Sequence, residues 1–296
     1  MPLSMKSRLK SVYENKYKLL LIIPFLLLVF AILQIGIQTA VTGDFVHKGI
    51  TLKGGSTITI EDGSINTIEL EQFLNEKFPG ADIGIRTITA AGSITGIAID
   101  SDAQETKEID NLINVIEEKV DIKQSEYSVE VMGSSLGQSF FKQTLVALLI
   151  AFLLMGIVVF VYFRTIIPSL AVILAAFSDI VVTLAIFNLT GIKLSTAGIA
   201  AFLMLIGYSV DTDILLSSRL LKRKEGSVME RVYGAMKTGL TMSTTTLVAI
   251  LVALIFVQSE VVKQIMLILF IGLLVDLVMT WIQNVGILRL YLERKK

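Results

Sequence analysis

Asp179, Asp211, Asp213 and Asp276 each stand inside a long apolar run, and a further run gathers the hydroxyls of Thr241, Ser243, Thr244, Thr245 and Thr246. A carboxylate near the centre of a bilayer costs about 2.5 to 3.5 kcal/mol on insertion scales, so each acid must find a partner or a wet cavity. No Lys or Arg shares that depth. Hydroxyls and neutral carboxyl groups remain as partners, and a protonated carboxyl can still donate. The chemistry on offer is reversible protonation coupled to helix motion. The plain alternative is a set of hydrogen bonds that glue helices together.

With run midpoints as depth markers, Asp179 lies near the middle of the third run. Asp211 and Asp276 sit towards the cytoplasmic ends of the fourth and sixth, at one level. The hydroxyls of the fifth run reach that level, so a polar belt across runs four, five and six is expected. Asp211 and Asp213 are about 200° apart around a helix and cannot both face the same neighbour. One of them is expected to turn towards a partner subunit.

The elements that must position these groups are membrane helices. Hydrophobic residues make up 53% of 296 positions and the mean hydropathy is +0.74, above an ordinary soluble domain. The first run, Leu19 to Ile37, spans about 28 Å as a helix, close to the thickness of a bilayer core and too long for a cleaved signal peptide. The segments expected are a cytoplasmic N-terminus (1–18), six spans (19–38, 144–163, 166–189, 194–217, 239–257 and 261–288), a basic cytoplasmic loop (218–238) and a cytoplasmic C-terminus (289–296). Sixteen of the 26 Lys and Arg residues then lie in cytoplasmic segments, and only Lys193 and Lys263 in short outer loops. Both termini are therefore expected in the cytoplasm of a multi-pass cell-membrane protein.

Polar and charged residues return in an insert, 43–143, between the first two spans. Thr57 to Ile60 alternates as a strand, and Ile65 to Phe78 recurs at helical spacing with Ser64 as a possible cap. Strand-like Ile83 to Ile88 and Ile94 to Ile99 flank a hairpin at Ala90 to Ser93. A second amphipathic helix at Ile109 to Ile116 and a strand at Tyr127 to Val131 complete a βαββαβ order, that of a small α+β ferredoxin-like domain. With no cysteine in the chain, it must be held by its core rather than by disulfides.

Motifs at the seams resemble the SecF branch of the SecD/SecF protein-export family, within the resistance-nodulation-division (RND) superfamily. The resemblance covers nearly the whole chain. Gly49-Ile50-Thr51-Leu52-Lys53-Gly54-Gly55 is similar to the family's glycine-paired segment, with Thr51 where an aspartate is usual. Val131-Met132-Gly133-Ser134-Ser135-Leu136-Gly137 is similar to the approach to the second helix, with Ser134 in place of proline. Gly207-Tyr208-Ser209-Val210-Asp211-Thr212-Asp213-Ile214-Leu215, followed by Arg219, is the closest match, and Phe177-Ser178-Asp179-Ile180-Val181 the next. Bacterial members read Asn-Asp-Thr where this chain has Asp211-Thr212-Asp213, and their helix-five arginine has no counterpart near Thr238. Both differences point to the archaeal branch.

The resemblance implies an auxiliary of the Sec translocation machinery, paired with a SecD-like membrane subunit beside the translocon channel. It would promote export of unfolded polypeptides, driven by the proton motive force. A small-molecule or lipid exporter of the same superfamily is the first alternative, and a non-transporting translocon assembly factor the second. No enzyme, cofactor, metal or nucleic-acid signature is present, and membrane lipids are the remaining partner. Lone His47 reads as a loop residue. Gly54 and Gly55 read as a tight turn or a substrate contact, and Gly133 to Gly137 as a hinge or a plain turn. The basic loop reads as a solvated anchor and Trp281 as an interface anchor.

Overall fold

The computed structural model describes residues 5–90, 93–120, 122, 126–222, 225–257 and 259–294. Residues 1–4, Ala91 and Gly92 of the expected hairpin, Arg223 and Lys224 of the basic loop, and the final Lys295 and Lys296 lie outside the described residues.

Helices α1 (Met5–Asn15), α2 (Tyr17–Leu20) and α3 (Ile22–Thr42) lead to a short α4 (Ile50–Lys53). Then come β1 (Gly55–Ile60), α5 (Thr67–Lys77), β2 (Gly84–Ala90), β3 (Ser93–Ser101), α6 (Thr106–Lys119) and β4 (Tyr127–Met132). Four long helices follow: α7 (Ser134–Phe163), α8 (Ile166–Leu189), α9 (Thr196–Lys222) and α10 (Val228–Phe256). Last is a helix in three parts, α11 (Glu260–Val278), a π-helical turn (Met279–Asn284) and α12 (Val285–Arg294).

Among the described residues six helices are long and apolar enough to cross a membrane: Tyr17–Thr42, Ser134–Phe163, Ile166–Leu189, Thr196–Lys222, Val228–Phe256 and Val261–Arg294. Most outrun the apolar stretches read from sequence, because backbone hydrogen bonding continues past the hydrophobic core until a cap or a left-handed residue stops it. Gly43, at φ +78°, ends α3 in this way. The basic segment 218–238 is therefore mostly helix rather than loop. α9 runs through Lys222, and Ser227 and Glu230 form a reciprocal capping box that starts α10.

The third, fourth and sixth spans form the middle of the bundle, with 56%, 56% and 50% of their apolar windows buried, against 6% for the second and 17% for the fifth. Small residues allow this close approach. Ala171, Ala175 and Ala176 of α8 and Ala201 of α9 are buried.

The insert folds as a four-stranded sheet in the order β2-β3-β1-β4, with every neighbouring pair antiparallel. Read from the other edge this is 4-1-3-2, the split-βαβ order expected. Ile58, Ile60, Ile97 and Ile99 of the central strands meet Leu70 and Leu74 of α5 and Ile109, Leu112 and Ile116 of α6. Each such burial contributes roughly 1.5 to 3 kcal/mol, enough to replace disulfides in a small domain. Asn66 rather than Ser64 caps α5, accepting from the Glu69 amide at 3.3 Å. Ser64 is held instead by Asp62, which accepts from its amide and hydroxyl.

The domain is tied to the bundle where the third and fourth spans meet. The Leu194 amide donates to the His47 carbonyl at 2.6 Å, and the Gly49 amide to the Leu194 carbonyl at 2.8 Å. Asn188 reaches the Phe45 carbonyl at 2.9 Å.

Candidate functional site

Three carboxyl groups meet in the middle of the bundle. Asp179 on α8, Asp213 on α9 and Asp276 on α11 are each fully buried. Ser209, one turn before Asp213, donates to Asp179 Oδ2. Thr280 Oγ1 is 3.0 Å from Asp213 Oδ1 and 3.0 Å from Asp276 Oδ1. Asn284 Nδ2 donates to the same Asp213 oxygen at 2.7 Å. Beside them, Gln283 Nε2 donates to Ser178 Oγ at 3.2 Å.

This geometry constrains the protons. A threonine hydroxyl carries one hydrogen, so it can donate to only one of two carboxylates at that distance. The other contact is a hydrogen bond only if that carboxyl is itself protonated and donates to the threonine oxygen. One oxygen of each acid, Asp179 Oδ1, Asp213 Oδ2 and Asp276 Oδ2, has no hydrogen-bonding group as partner. The Thr280 contacts therefore leave a place for one proton between Asp213 and Asp276.

The π-helical turn assembles half of this. Met279, Thr280, Trp281, Gln283 and Asn284 are all buried, so the turn faces protein on nearly every side. The Val285 amide divides itself between the carbonyls of Thr280 and Ile282. Such turns recur at functional sites because they re-aim side chains within a helix. Trp281, expected at the interface, is 4% exposed and packs across Gly239. A Cβ at Gly239 would lie 2.3 Å from the Trp281 ring.

The belt expected from sequence differs in its members. Asp211 is exposed on the outer face of α9, and Asp213 occupies the inward position. Thr241, Thr244 and Thr245 of α10 are exposed. The Thr241 and Thr245 hydroxyls turn back to carbonyls of their own helix, at 2.8 and 3.0 Å. Ser243 is buried with its hydroxyl unpartnered. The polar layer thus runs through α8, α9 and the sixth span, and its hydroxyls and amides come from Ser209, Thr280, Gln283 and Asn284. Three of these were not singled out from sequence. The signal was available in the stride Asp276, Thr280, Asn284, which repeats every four residues along an otherwise apolar run.

The remaining motif residues divide by role. Gly54, at φ +92°, crosses the start of α7 so closely that a Cβ there would lie 2.5 Å from Ser134 Cα. Gly137 completes the crossing, with a Cβ position 2.7 Å from the Gly54 amide nitrogen. Gly55, at φ +143°, presses on the Ser101 carbonyl, and Gly133 is the N-cap of α7 with open space around it. Gly207 is exposed, Tyr208 packs against the central core, and Arg219 joins α9 to α10 through Thr238 Oγ1 at 2.9 Å.

Outside the bundle, Lys53 and Lys193 both donate to Asp82, one to each carboxylate oxygen. Burial pushes the Asp82 carboxyl up, and the hydrogen bonds and charges of Lys193 and then Lys53 outweigh it, holding the group below the usual carboxylate value.

Residues 112–294 match the family model described as protein export membrane protein SecD/SecF, C-terminal. The chain is 39% identical over 293 residues to the protein-export membrane protein SecF of Pyrococcus furiosus, covering 98% of this chain and 96% of that one. It is 38% identical over 289 residues to that of Methanocaldococcus jannaschii, covering 93% and 96%. Among solved structures it is similar to SecDF of Thermus thermophilus, a translocon-associated membrane protein, with a TM-score of 0.73 at 22% identity. That match covers 95% of this chain but only 38% of the solved one.

Proposed function

The chain belongs to the SecD/SecF family of protein export membrane proteins, and we propose that it is the SecF-type half of a two-subunit auxiliary of the Sec translocon. In this reading it promotes export of unfolded polypeptides across the cytoplasmic membrane and draws on the proton motive force. The observation that carries the proton-driven part is the single Thr280 hydroxyl shared by Asp213 and Asp276. It supports a bound proton, in a place where moving α9 against the sixth span would change who holds it. No enzymatic step is required.

A second polytopic subunit fits the surface. Asp211 is exposed in line with Met204 and Gly207 on α9, and Thr241, Thr244 and Thr245 of α10 are exposed as well. A carboxylate facing hydrocarbon is costly, and a SecD-like companion offering a donor would relieve it. Internal transporter repeats place coupling sites near such an interface. The excess of Lys and Arg around the termini supports a cytoplasmic location for both ends.

Deleting the gene tests the reading. Export of secreted proteins should slow while insertion of a one-span membrane control proceeds normally, and a SecD-like companion should co-purify in equal amount. Unchanged export kinetics would remove the proposal.

A further inference from the structure

The end of the bundle that carries the termini holds a second polar assembly, built on aromatic residues. α1 lies against the sixth span, and Tyr13 donates its hydroxyl to the Trp281 carbonyl at 2.7 Å, inside the π-helical turn. Arg289 of α12 fixes the other side of this contact. Its two terminal nitrogens donate to the carbonyls of Tyr13 at 3.1 Å and Glu14 at 2.8 Å, where the last carbonyls of α1 lack helical partners. Its guanidinium sits 3.8 Å from the centre of the Tyr17 ring, and Tyr17 donates to Glu293. The Tyr233 hydroxyl reaches Glu14 at 3.0 Å, joining the fifth span as well. Burial, partly offset by Arg289, pushes the Tyr13 hydroxyl well above its ordinary value, so it stays a donor throughout the physiological range.

The residue that Tyr13 grips lies between the two that hold Asp213. Thr280 precedes Trp281 and Asn284 follows it within the same turn, and both bond Asp213 Oδ1. A π-helical turn is less favourable than a plain helix and persists only where its surroundings hold it. We infer that Tyr13 is a positioning residue for Asp213, holding the π-helical turn through the Trp281 carbonyl so that Thr280 and Asn284 meet the carboxyl. The inference builds on the reading of Asp213 as part of the proton site. It adds that a helix outside the bundle sets the geometry of that site.

The test uses the full chain in lipid nanodiscs and the substitution Tyr13→Phe, which removes one hydroxyl and keeps the ring. Amide hydrogen exchange in the segment 279–286 should rise roughly three- to tenfold, the effect of one net hydrogen bond, with exchange in Ile166–Leu189 unchanged. Lys10→Ala, which removes a Lys10–Glu14 ion pair of α1 without touching the turn, should leave 279–286 as in the parent. The infrared carboxyl or carboxylate band that Asp213→Asn removes should shift in Tyr13→Phe. Unaltered exchange, equal acceleration by Lys10→Ala, or an unmoved Asp213 band would each overturn the inference. None of these readouts depends on transport, so they stand apart from the success of the functional proposal.

Discussion

Asp213 and Asp276 meet on one hydroxyl, each with its Oδ1 3.0 Å from Thr280 Oγ1. They come from different spans, one from α9 and one from α11, so the hydroxyl ties the two spans together between their buried acids.

Thr280→Val removes the shared hydroxyl without changing the size of the side chain. Two buried carboxyls then lose a partner, and the protein should lose about 1 to 3 kcal/mol of stability. Thr183→Val is the matched control, because the Thr183 hydroxyl is buried with no partner and its loss should be neutral or stabilising. Thermal unfolding in lipid nanodiscs distinguishes them, and equal melting of the two variants would count against the shared hydroxyl.

The glycine crossing makes an independent prediction. Gly137→Ala places a Cβ against the Gly54 backbone and should destabilise by about 1 to 3 kcal/mol. Gly133→Ala meets open space and should be tolerated. Comparable melting of both would mean that the seam between domain and helix is looser than described.

The clamp on Asp82 predicts a pH dependence. The folded carboxyl lies below its ordinary value of 3.8, so the stabilisation is fully present above that value and is lost as the pH falls through the lower folded one. Asp82→Asn removes the charge that Lys53 and Lys193 share. It should lower the melting temperature at neutral pH and flatten the loss of stability on the acid limb below about pH 4. An acid limb identical to that of the parent would show that the clamp contributes nothing.

Sidedness is open to direct labelling, because the chain has no native cysteine. Val12 and Ile68 are 40% and 70% exposed. Val12→Cys should react with an impermeant thiol reagent only when the cytoplasmic face is open, and Ile68→Cys only from outside. Reaction of both from one face would contradict the topology.

Much of this was legible in sequence. The βαββαβ order, the six spans and the acids themselves follow from periodicity, charge and the cost of burying a carboxylate. The rotation of α9 was not. Asp211 and Asp213 point about 200° apart, and in a helix of almost uniform hydrophobicity only close packing chooses between them. Buried Ser209, Thr212 and Leu216 turn Asp213 inward. The π-helical turn was equally hidden, since one extra residue in a turn leaves no compositional mark. It converted Trp281 from an expected interface anchor into a core residue and brought Thr280 and Asn284 onto a common carboxyl. Hydroxyl content alone favoured α10, where Thr241, Thr245 and Thr246 bond carbonyls of their own helix.

Membrane vesicles carrying Asp213→Asn together with the companion subunit give the most direct measure of whether the acid cluster uses a proton in export. Asparagine keeps the shape of the side chain and can carry no exchangeable charge. The account predicts that the variant assembles normally and that imposing a proton gradient no longer accelerates completion of export. Acceleration equal to that of the parent, with the variant fully assembled, would contradict it.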